Sequence, residues 1–133
     1  MVETGRISFL AKTVSRDPPV FCARSYEVTY GSKHFGPGQQ LFVPRGCLDE
    51  HDVVLVVDDF LASGSCQEAM LRLVTNANAK PAALAVLFEK AYERGRDFLA
   101  GYDVPVVSLA SILSVTDGYI ELEGDNPDYQ GTH

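Results

Sequence analysis

The chain has 133 residues, of which 46% are hydrophobic and 22% charged, and this composition is typical of one globular domain. Eighteen acidic against eleven basic residues give a net charge of −7, which argues against binding to duplex nucleic acid or to an anionic membrane. The three cysteines, Cys22, Cys47 and Cys66, form no CxxC pair, and no apolar run approaches the ~20 residues of a membrane-spanning helix. These features predict a cytoplasmic protein with neither a disulfide framework nor a zinc site.

The N-terminal third of the chain contains two weak strand signals and then a segment rich in glycine and proline. Short apolar runs at residues 7–12 and 20–24 predict two strands. The glycines and prolines that follow indicate a mobile loop or a loose hairpin. In the hairpin, the alternating residues 26–30 would pair with residues 41–43 across a Gly-Pro-Gly turn at residues 36–38.

From residue 53 onwards, strand and helix signals alternate. Five apolar residues at 53–57 predict a central strand buried on both faces. The later elements are predicted in the order helix, strand, helix, strand and edge strand, at residues 65–78, 82–88, 90–101, 105–109 and 119–122. We therefore predict an α/β fold in which helices flank a central, mostly parallel sheet, with a single domain over residues 1–123 and a polar tail over residues 124–133.

The segment VVLVVDDFLASGSC, residues 53–66, predicts a binding site for a sugar phosphate. Small residues follow the Asp58-Asp59 pair and precede a helix, and Ser63 or Ser65 would be its N-cap. The unpaired amides and partial positive charge of a helix N-terminus favour a phosphate. Adjacent carboxylates repel each other, and vicinal ribose hydroxyls or a divalent cation would satisfy both.

Two other interpretations of the Asp pair stay open. Adjacent aspartates at a strand end are often solvated loop carboxylates or an N-cap, and an Asp pair also begins the acidic pocket of receiver domains. The loop matches neither GxGxxG nor GxxxxGK[ST], which disfavours a Rossmann dinucleotide site and a P-loop.

The same stretch resembles the phosphoribosyl-pyrophosphate-binding motif of type I phosphoribosyltransferases, and its spelling DDFLASG is most similar to that of xanthine phosphoribosyltransferases. Residues 87–112, LFEKAYERGRDFLAGYDVPVVSLASI, are similar to the Glu-Lys-x-aromatic, Gly-Arg and Ser-Leu-Ala-x-Ile segments of that subgroup. Residues 18–24, PPVFCAR, resemble the strand before the family's flexible loop. The resemblance spans residues 18–122 and implies a phosphoribosyltransferase-like, Rossmann-like fold.

The resemblance also implies roles for individual residues. Asp58 and Asp59 would hold the ribose hydroxyls and Mg²⁺ as the catalytic carboxylates. Lys90 would meet an exocyclic purine oxygen beside the aromatic Tyr92, and Arg24 would reach the pyrophosphate. The rest of the motif would also bind substrate, and within it the five residues 62–66 would surround the 5-phosphate. The substrate-binding residues of the motif are Phe60, Leu61, Ala62, Ser63, Gly64, Ser65 and Cys66. Without the resemblance, Lys90 is a solvated lysine, Tyr92 a core aromatic and Arg24 a surface arginine.

The chain departs from the family on its N-terminal side. Only 19 residues precede Val20 and they contain no Glu-Ser-x-Gly-like loop, so we expect the helical hood, the first strand and the pyrophosphate loop to be missing. The flexible-loop region is also shorter than in those relatives, and Lys33, His34 and Arg45 would supply positive charge to it. A homodimer would cover the apolar sheet surface that such a loss exposes.

Three functions are compatible with these features. The first is an enzyme that uses Mg²⁺, phosphoribosyl pyrophosphate and a 6-oxopurine resembling xanthine. The second is a non-catalytic or regulatory relative that binds phosphoribosyl pyrophosphate or a purine nucleotide. The third is a scaffold reused for other small-molecule chemistry, since a fold does not fix a function.

Overall fold

The computed structural model describes residues 24–33 and 35–124, so the strands predicted at residues 7–12 and 20–23 lie outside the described part. In chain order the elements are β1 (Ser25–Ser32), β2 (Gly36–Pro44), β3 (Val53–Leu61), α1 (Ser65–Asn76), β4 (Lys80–Lys90), α2 (Gly95–Leu99), β5 (Val106–Thr116) and β6 (Tyr119–Leu122). Short 3-10 turns occur at Arg45–Cys47, Ala91–Glu93 and Ala100–Tyr102. Within the described ranges, no helix has the length and apolar character needed to cross a membrane.

The central sheet has the strand order β3-β4-β5-β6, in which β3, β4 and β5 are parallel and β6 is antiparallel to β5. The predicted α/β class with a mostly parallel sheet is therefore confirmed. Because parallel strands end at the same edge of a sheet, the residues after the β3 apolar run meet those at the end of β4. Phe60 lies opposite Phe88, and Leu61 lies opposite Glu89.

Helix α1 packs between one face of this sheet and the β1–β2 hairpin. Its buried residues recur at helical spacing, as in Ala69, Leu73 and Val74, and they meet Val56 and Leu84 of the sheet. Burial of each such valine or leucine side chain stabilises the fold by roughly 1.5–3 kcal/mol. We call the sheet face that contacts α1 the inner face, and it forms the core with the hairpin.

The hairpin has the predicted pairing but a different turn. Tyr26 pairs with Val43 in an antiparallel ladder, as expected. Ser32 pairs with Gly36, so the chain reverses before the Gly-Pro-Gly segment, which belongs to β2. The turn closes through the Ser32 hydroxyl oxygen, which accepts a hydrogen bond of 3.2 Å from the amide of Phe35.

The prediction of one helix over residues 90–101 is wrong. Lys90 ends β4, and a 3-10 turn, the five-residue helix α2 and a second 3-10 turn follow. Arg94 interrupts helical geometry because its backbone is left-handed, with φ of 58°. The chain therefore turns at this point, and Gly95 begins α2 in close contact with the loop after β3.

The prediction that β3 is buried on both faces is also wrong. Val54 and Val56 are 6% and 3% exposed, whereas Val53, Leu55 and Val57 are 68%, 51% and 45% exposed. Successive residues of a strand point to opposite faces, and α1 covers only one of them. We call the opposite, exposed side the outer face and define it by Val53, Leu55, Val57, Leu87, Val107 and Leu109.

Candidate phosphate and ribose site

A cavity of about 320 Å³ lies at the carboxyl edge of the sheet, between the β3–α1 loop and the tip of the hairpin. The structure brings most of the predicted site residues together around it. The cavity is lined by Tyr30, Ser32, Lys33, Phe35, Asp58, Asp59, Phe60, Ala62, Ser63, Gly64, Ser65, Cys66, Gln67 and Lys90. Leu61, predicted to bind substrate, is instead fully buried, packs in the core and does not line the cavity.

The loop from Ala62 to Gly64 joins β3 to the N-terminus of α1. Within residues 24–33 and 35–124, the amides of these three residues donate no hydrogen bond to a protein acceptor. The predicted serine N-cap is wrong: Gly64 is the N-cap, with φ of 88°, and no side chain caps the helix. The hydroxyls of Ser63 and Ser65 lie 3.1 Å apart and bond to each other. Amide donors and the helix dipole are therefore available to an anion.

Asp58 is held in place by Gln67, a residue that the sequence analysis did not single out. The Gln67 side-chain amide donates to Asp58 Oδ2 at 2.6 Å and to the carbonyl oxygen of Phe60 at 2.9 Å. Gln67 is itself buried. Burial raises the pKa of Asp58 and the charge of Asp59 adds to this, while hydrogen bonds from the Asp59 amide and from Gln67 oppose it.

Asp59 is more open than Asp58. Its Oδ1 accepts a hydrogen bond of 2.8 Å from the Phe60 amide, and the residue is exposed. Among the described residues, no group of three or more His, Cys, Asp or Glu side chains could hold a metal ion. Magnesium in proteins is commonly bound by one or two carboxylates together with substrate phosphates, and the two aspartates fit that pattern.

An aromatic surface lies beside the carboxylates. The rings of Phe60 and Phe88 stack with centroids 5.3 Å apart, and Lys90 Nζ lies 5.6 Å from the Phe60 ring centroid. Phe60 is 42% exposed, so its ring remains available to a planar ligand. Tyr92, predicted to lie near the base, is exposed on the 3-10 turn after β4 and does not line the cavity.

The predicted cationic residues separate into two places. Lys33 reaches the cavity and its ammonium lies 3.9 Å from a Glu93 carboxylate oxygen. Arg24 and Arg45 line a different cavity, of about 540 Å³, at the far end of the hairpin. At about 3.3 Å per strand residue, Arg24 lies roughly 25 Å along β1 from Ser32, so the structure does not bring it to the site. His34 lies outside the described residues.

In sequence, the chain is similar to bacterial xanthine phosphoribosyltransferases. That of Geobacillus thermodenitrificans is 37% identical over 101 residues, which cover 76% of this chain and 50% of that protein. That of Pseudomonas paraeruginosa is 35% identical over 113 residues, which cover 77% and 60%. The chain thus spans about half the length of the relatives that it matches. No protein-family model matches it.

In structure, the chain is similar to adenine phosphoribosyltransferases. The enzyme of Thermoanaerobacter pseudethanolicus has a TM-score of 0.64 at 26% identity, covering 74% of this chain and 54% of that one. The Giardia lamblia enzyme bound to 9-deazaadenine has a TM-score of 0.62 at 27% identity, covering 65% and 49%. The fold is therefore that of the type I phosphoribosyltransferases. Within that class, the chain is in sequence a relative of the xanthine phosphoribosyltransferases, as the DDFLASG motif predicted.

Proposed function

We propose that this chain binds phosphoribosyl pyrophosphate, or a purine nucleoside monophosphate, and takes part in purine phosphoribosyl transfer. One observation carries the proposal: the Ala62–Gly64 loop, whose amides have no protein acceptor among the described residues, lines the same cavity as Asp58 and Asp59. A phosphorylated pentose has both groups that this arrangement suits, an anionic phosphate and vicinal hydroxyls. The similarity to enzymes named for phosphoribosyl transfer to purines supports the same ligand class.

The 5-phosphate binds to the loop amides at the start of α1, and the Ser63 and Ser65 hydroxyls add donors. The ribose hydroxyls donate to the two aspartates. Asp58 is already fixed by Gln67, whereas Asp59 is free to meet a hydroxyl or Mg²⁺. When bound, Mg²⁺ neutralises charge on the pyrophosphate, which matters in a chain of net charge −7.

The base lies against the Phe60 ring, within reach of Lys90. An ammonium group only donates hydrogen bonds, so it pairs with an exocyclic oxygen and not with an exocyclic amino group. The site therefore favours a 6-oxopurine resembling xanthine over adenine, in agreement with the names of the sequence relatives.

In the transfer, a purine nitrogen forms a bond to C1 of the ribose while the bond from C1 to the pyrophosphate oxygen breaks. The electron pair of that bond leaves with the pyrophosphate, and the proton of the base nitrogen passes to water. The protein's share of the work is to align the two reactants and to stabilise charge with fixed donors.

A pyrophosphate-release assay tests the enzymatic form of the proposal. Phosphoribosyl pyrophosphate and Mg²⁺ are incubated with xanthine, guanine, hypoxanthine or adenine. We expect release with the 6-oxopurines and little with adenine. Asp59→Asn should abolish the release, whereas Asp103→Asn, on an exposed turn after α2, should leave it unchanged.

The second candidate function is binding without turnover, and the position of the arginines favours it. Arg24, predicted to reach the pyrophosphate, and Arg45, predicted to charge the flexible loop, line the other cavity. Of these predicted cations, only Lys33 lines this one among the described residues. This form predicts that phosphoribosyl pyrophosphate or a purine nucleoside monophosphate raises the melting temperature while no pyrophosphate is released. An unchanged melting temperature with every such ligand contradicts both the enzymatic function and binding without turnover.

We further propose that two copies of the chain associate through the outer face. Parallel sheets are almost always covered on both faces, and apolar patches that span several strands mark interfaces. When the outer face of one chain packs against the outer face of a second copy, the two chains form a closed two-fold dimer. Sedimentation should show a dimer that Leu109→Lys dissociates, while Tyr119→Lys on edge strand β6 does not. A monomer at all concentrations overturns this dimer.

We also place the protein in the cytoplasm. Cys47 and Cys66 are both free thiols, and a reducing compartment preserves free thiols. Fluorescence microscopy of the tagged protein checks this placement, and a secreted or membrane-bound signal contradicts it.

A further inference from the structure

Helix α2 contacts the phosphate loop through backbone atoms on both sides. A Cβ placed on Gly95 would overlap the carbonyl oxygen of Ala62 and lie 3.1 Å from the amide nitrogen of Gly64. Conversely, a Cβ on Gly64 would lie 3.0 Å from the carbonyl oxygen of Gly95. Two glycines therefore let the backbones approach more closely than any other pair of residues allows.

Arg96, the next residue, fastens α2 to the sheet. Its Nε and Nη2 donate to the two carboxylate oxygens of Glu89 at 3.0 and 2.7 Å, and its Nη1 donates to the carbonyl oxygen of Val106 at 2.6 Å. Glu89 is 6% exposed and accepts a further hydrogen bond of 3.1 Å from Ser108. Because two parallel hydrogen bonds join a guanidinium to a buried carboxylate, this contact fixes the orientation of the Arg96 side chain as well as its distance from Glu89.

The two observations concern neighbouring residues of one short helix. Arg96 holds α2 to the carboxyl end of β4 and to the first residue of β5, and Gly95 holds α2 to the loop after β3. Neither residue lines the cavity, so neither touches a ligand there. Among the described residues, the Ala62–Gly64 amides have no protein acceptor, and no side chain caps α1. The shape of the loop therefore depends on the residues of α2 that pack behind it.

We propose that Gly95 and Arg96 are positioning residues that keep the Ala62–Gly64 amides directed into the cavity. Arg96, held by Glu89, sets the place of α2, and the absence of a side chain on Gly95 lets α2 support the loop directly. The identity of the ligand rests on the proposed function, whereas the support of the loop by α2 is independent of that function.

Backbone order parameters from nuclear magnetic resonance relaxation of the ligand-free protein test the support. In Arg96→Lys the ammonium keeps the charge but loses the two-bond geometry, and the order parameters of the amides at residues 62–64 should fall from about 0.85, typical of rigid backbone, to below about 0.6. The matched control is Arg94→Lys, because Arg94 pairs with Asp97 in an exposed contact of 2.8 Å. Equal order parameters of the loop amides in the wild type and Arg96→Lys overturn the proposal.

Binding of ribose 5-phosphate gives the second readout. Gly95→Ala should weaken this binding about ten-fold or more, since a displacement of the loop costs at least one amide contact. Gly101→Ala, where a Cβ meets nothing within 4 Å, should bind as the wild type does. If Gly95→Ala does not fold, Arg96→Lys replaces it. If the wild type binds no pentose phosphate, the proposed function fails, while the order parameters of the ligand-free loop still decide whether α2 supports it.

Discussion

The two sides of the cavity are built in different ways. On the strand–helix side, the loop is backed by the Gly64–Gly95 backbone contact, and Asp58 is held by the buried Gln67. On the hairpin side, Lys33 is 70% exposed and its contact with Glu93 is 3.9 Å long. The proposed ribose-phosphate half of the site is therefore held in shape by contacts within the protein, whereas Lys33 on the hairpin side is held only by one long, exposed contact.

Of the substitutions considered, removal of the Asp59 carboxylate on the strand–helix side should weaken ligand binding most. Asp59→Asn should weaken binding of magnesium phosphoribosyl pyrophosphate about a hundred-fold, because two contacts to a charged group are lost at roughly 1.5 kcal/mol each. Calorimetry measures the change, and Asp103→Asn is the control. Affinity within two-fold of the wild type would show that the carboxylate does not contact the ligand.

A substitution at Gly64 tests how tightly that side is packed. Gly64→Ala should lower the free energy of unfolding by about 2 kcal/mol, because it adds a left-handed penalty of roughly 1–2 kcal/mol to the contact with the Gly95 carbonyl oxygen. Gly118→Ala is the matched control, since Gly118 has φ of 82° but nothing within 4 Å. Urea unfolding measures both, and equal losses would show that the loop is not packed against α2.

The support behind the loop should depend on pH. The hydrogen bonds from Arg96, more than any other cause, hold the pKa of Glu89 below its usual value near 4.5. A lowered pKa means that the stabilisation is complete above the unfolded-state value and is lost as pH falls through the folded-state value. Urea unfolding from pH 7 to 3 should therefore show a decline that is shallower in Glu89→Gln. Parallel curves would contradict the pairing.

The smallest effect is expected on the hairpin side. Lys33→Gln should leave binding of ribose 5-phosphate unchanged and weaken binding of phosphoribosyl pyrophosphate only a few-fold, as an exposed charge contributes about 1 kcal/mol or less. The difference should vanish in high salt, because exposed charges are screened. A loss as large as that of Asp59→Asn would show that the hairpin is as well shaped for the ligand as the loop is.

The sequence predicted the order of strands and helices because each signal is local. The β-branched run of β3, the Asp pair and the small residues before α1 all act within a few residues of one another. That one face of β3 itself is exposed was not predictable in this way. An apolar residue such as Leu55 looks the same whether its face is covered or bare, and only the position of α1 decides which.

The remaining differences arise from contacts between distant segments. Gln67 reaches back to Asp58 across the β3–α1 loop, and the sequence shows only a polar residue in the first turn of a helix. The helix predicted at residues 90–101 is interrupted at Arg94, whose left-handed backbone directly precedes the contact of Gly95 with Ala62, more than thirty residues earlier. The resemblance predicted that Arg24 reaches the pyrophosphate, but the length of β1 separates it from the cavity.

A nuclear magnetic resonance titration with ribose 5-phosphate tests most directly whether the β3–α1 loop binds a phosphorylated pentose. The account predicts saturable shifts of the amides of residues 62–66, with no such shifts when ribose lacking the phosphate is added. Shifts that appear only near Arg24 and Arg45, or no shifts at millimolar ligand, would contradict it.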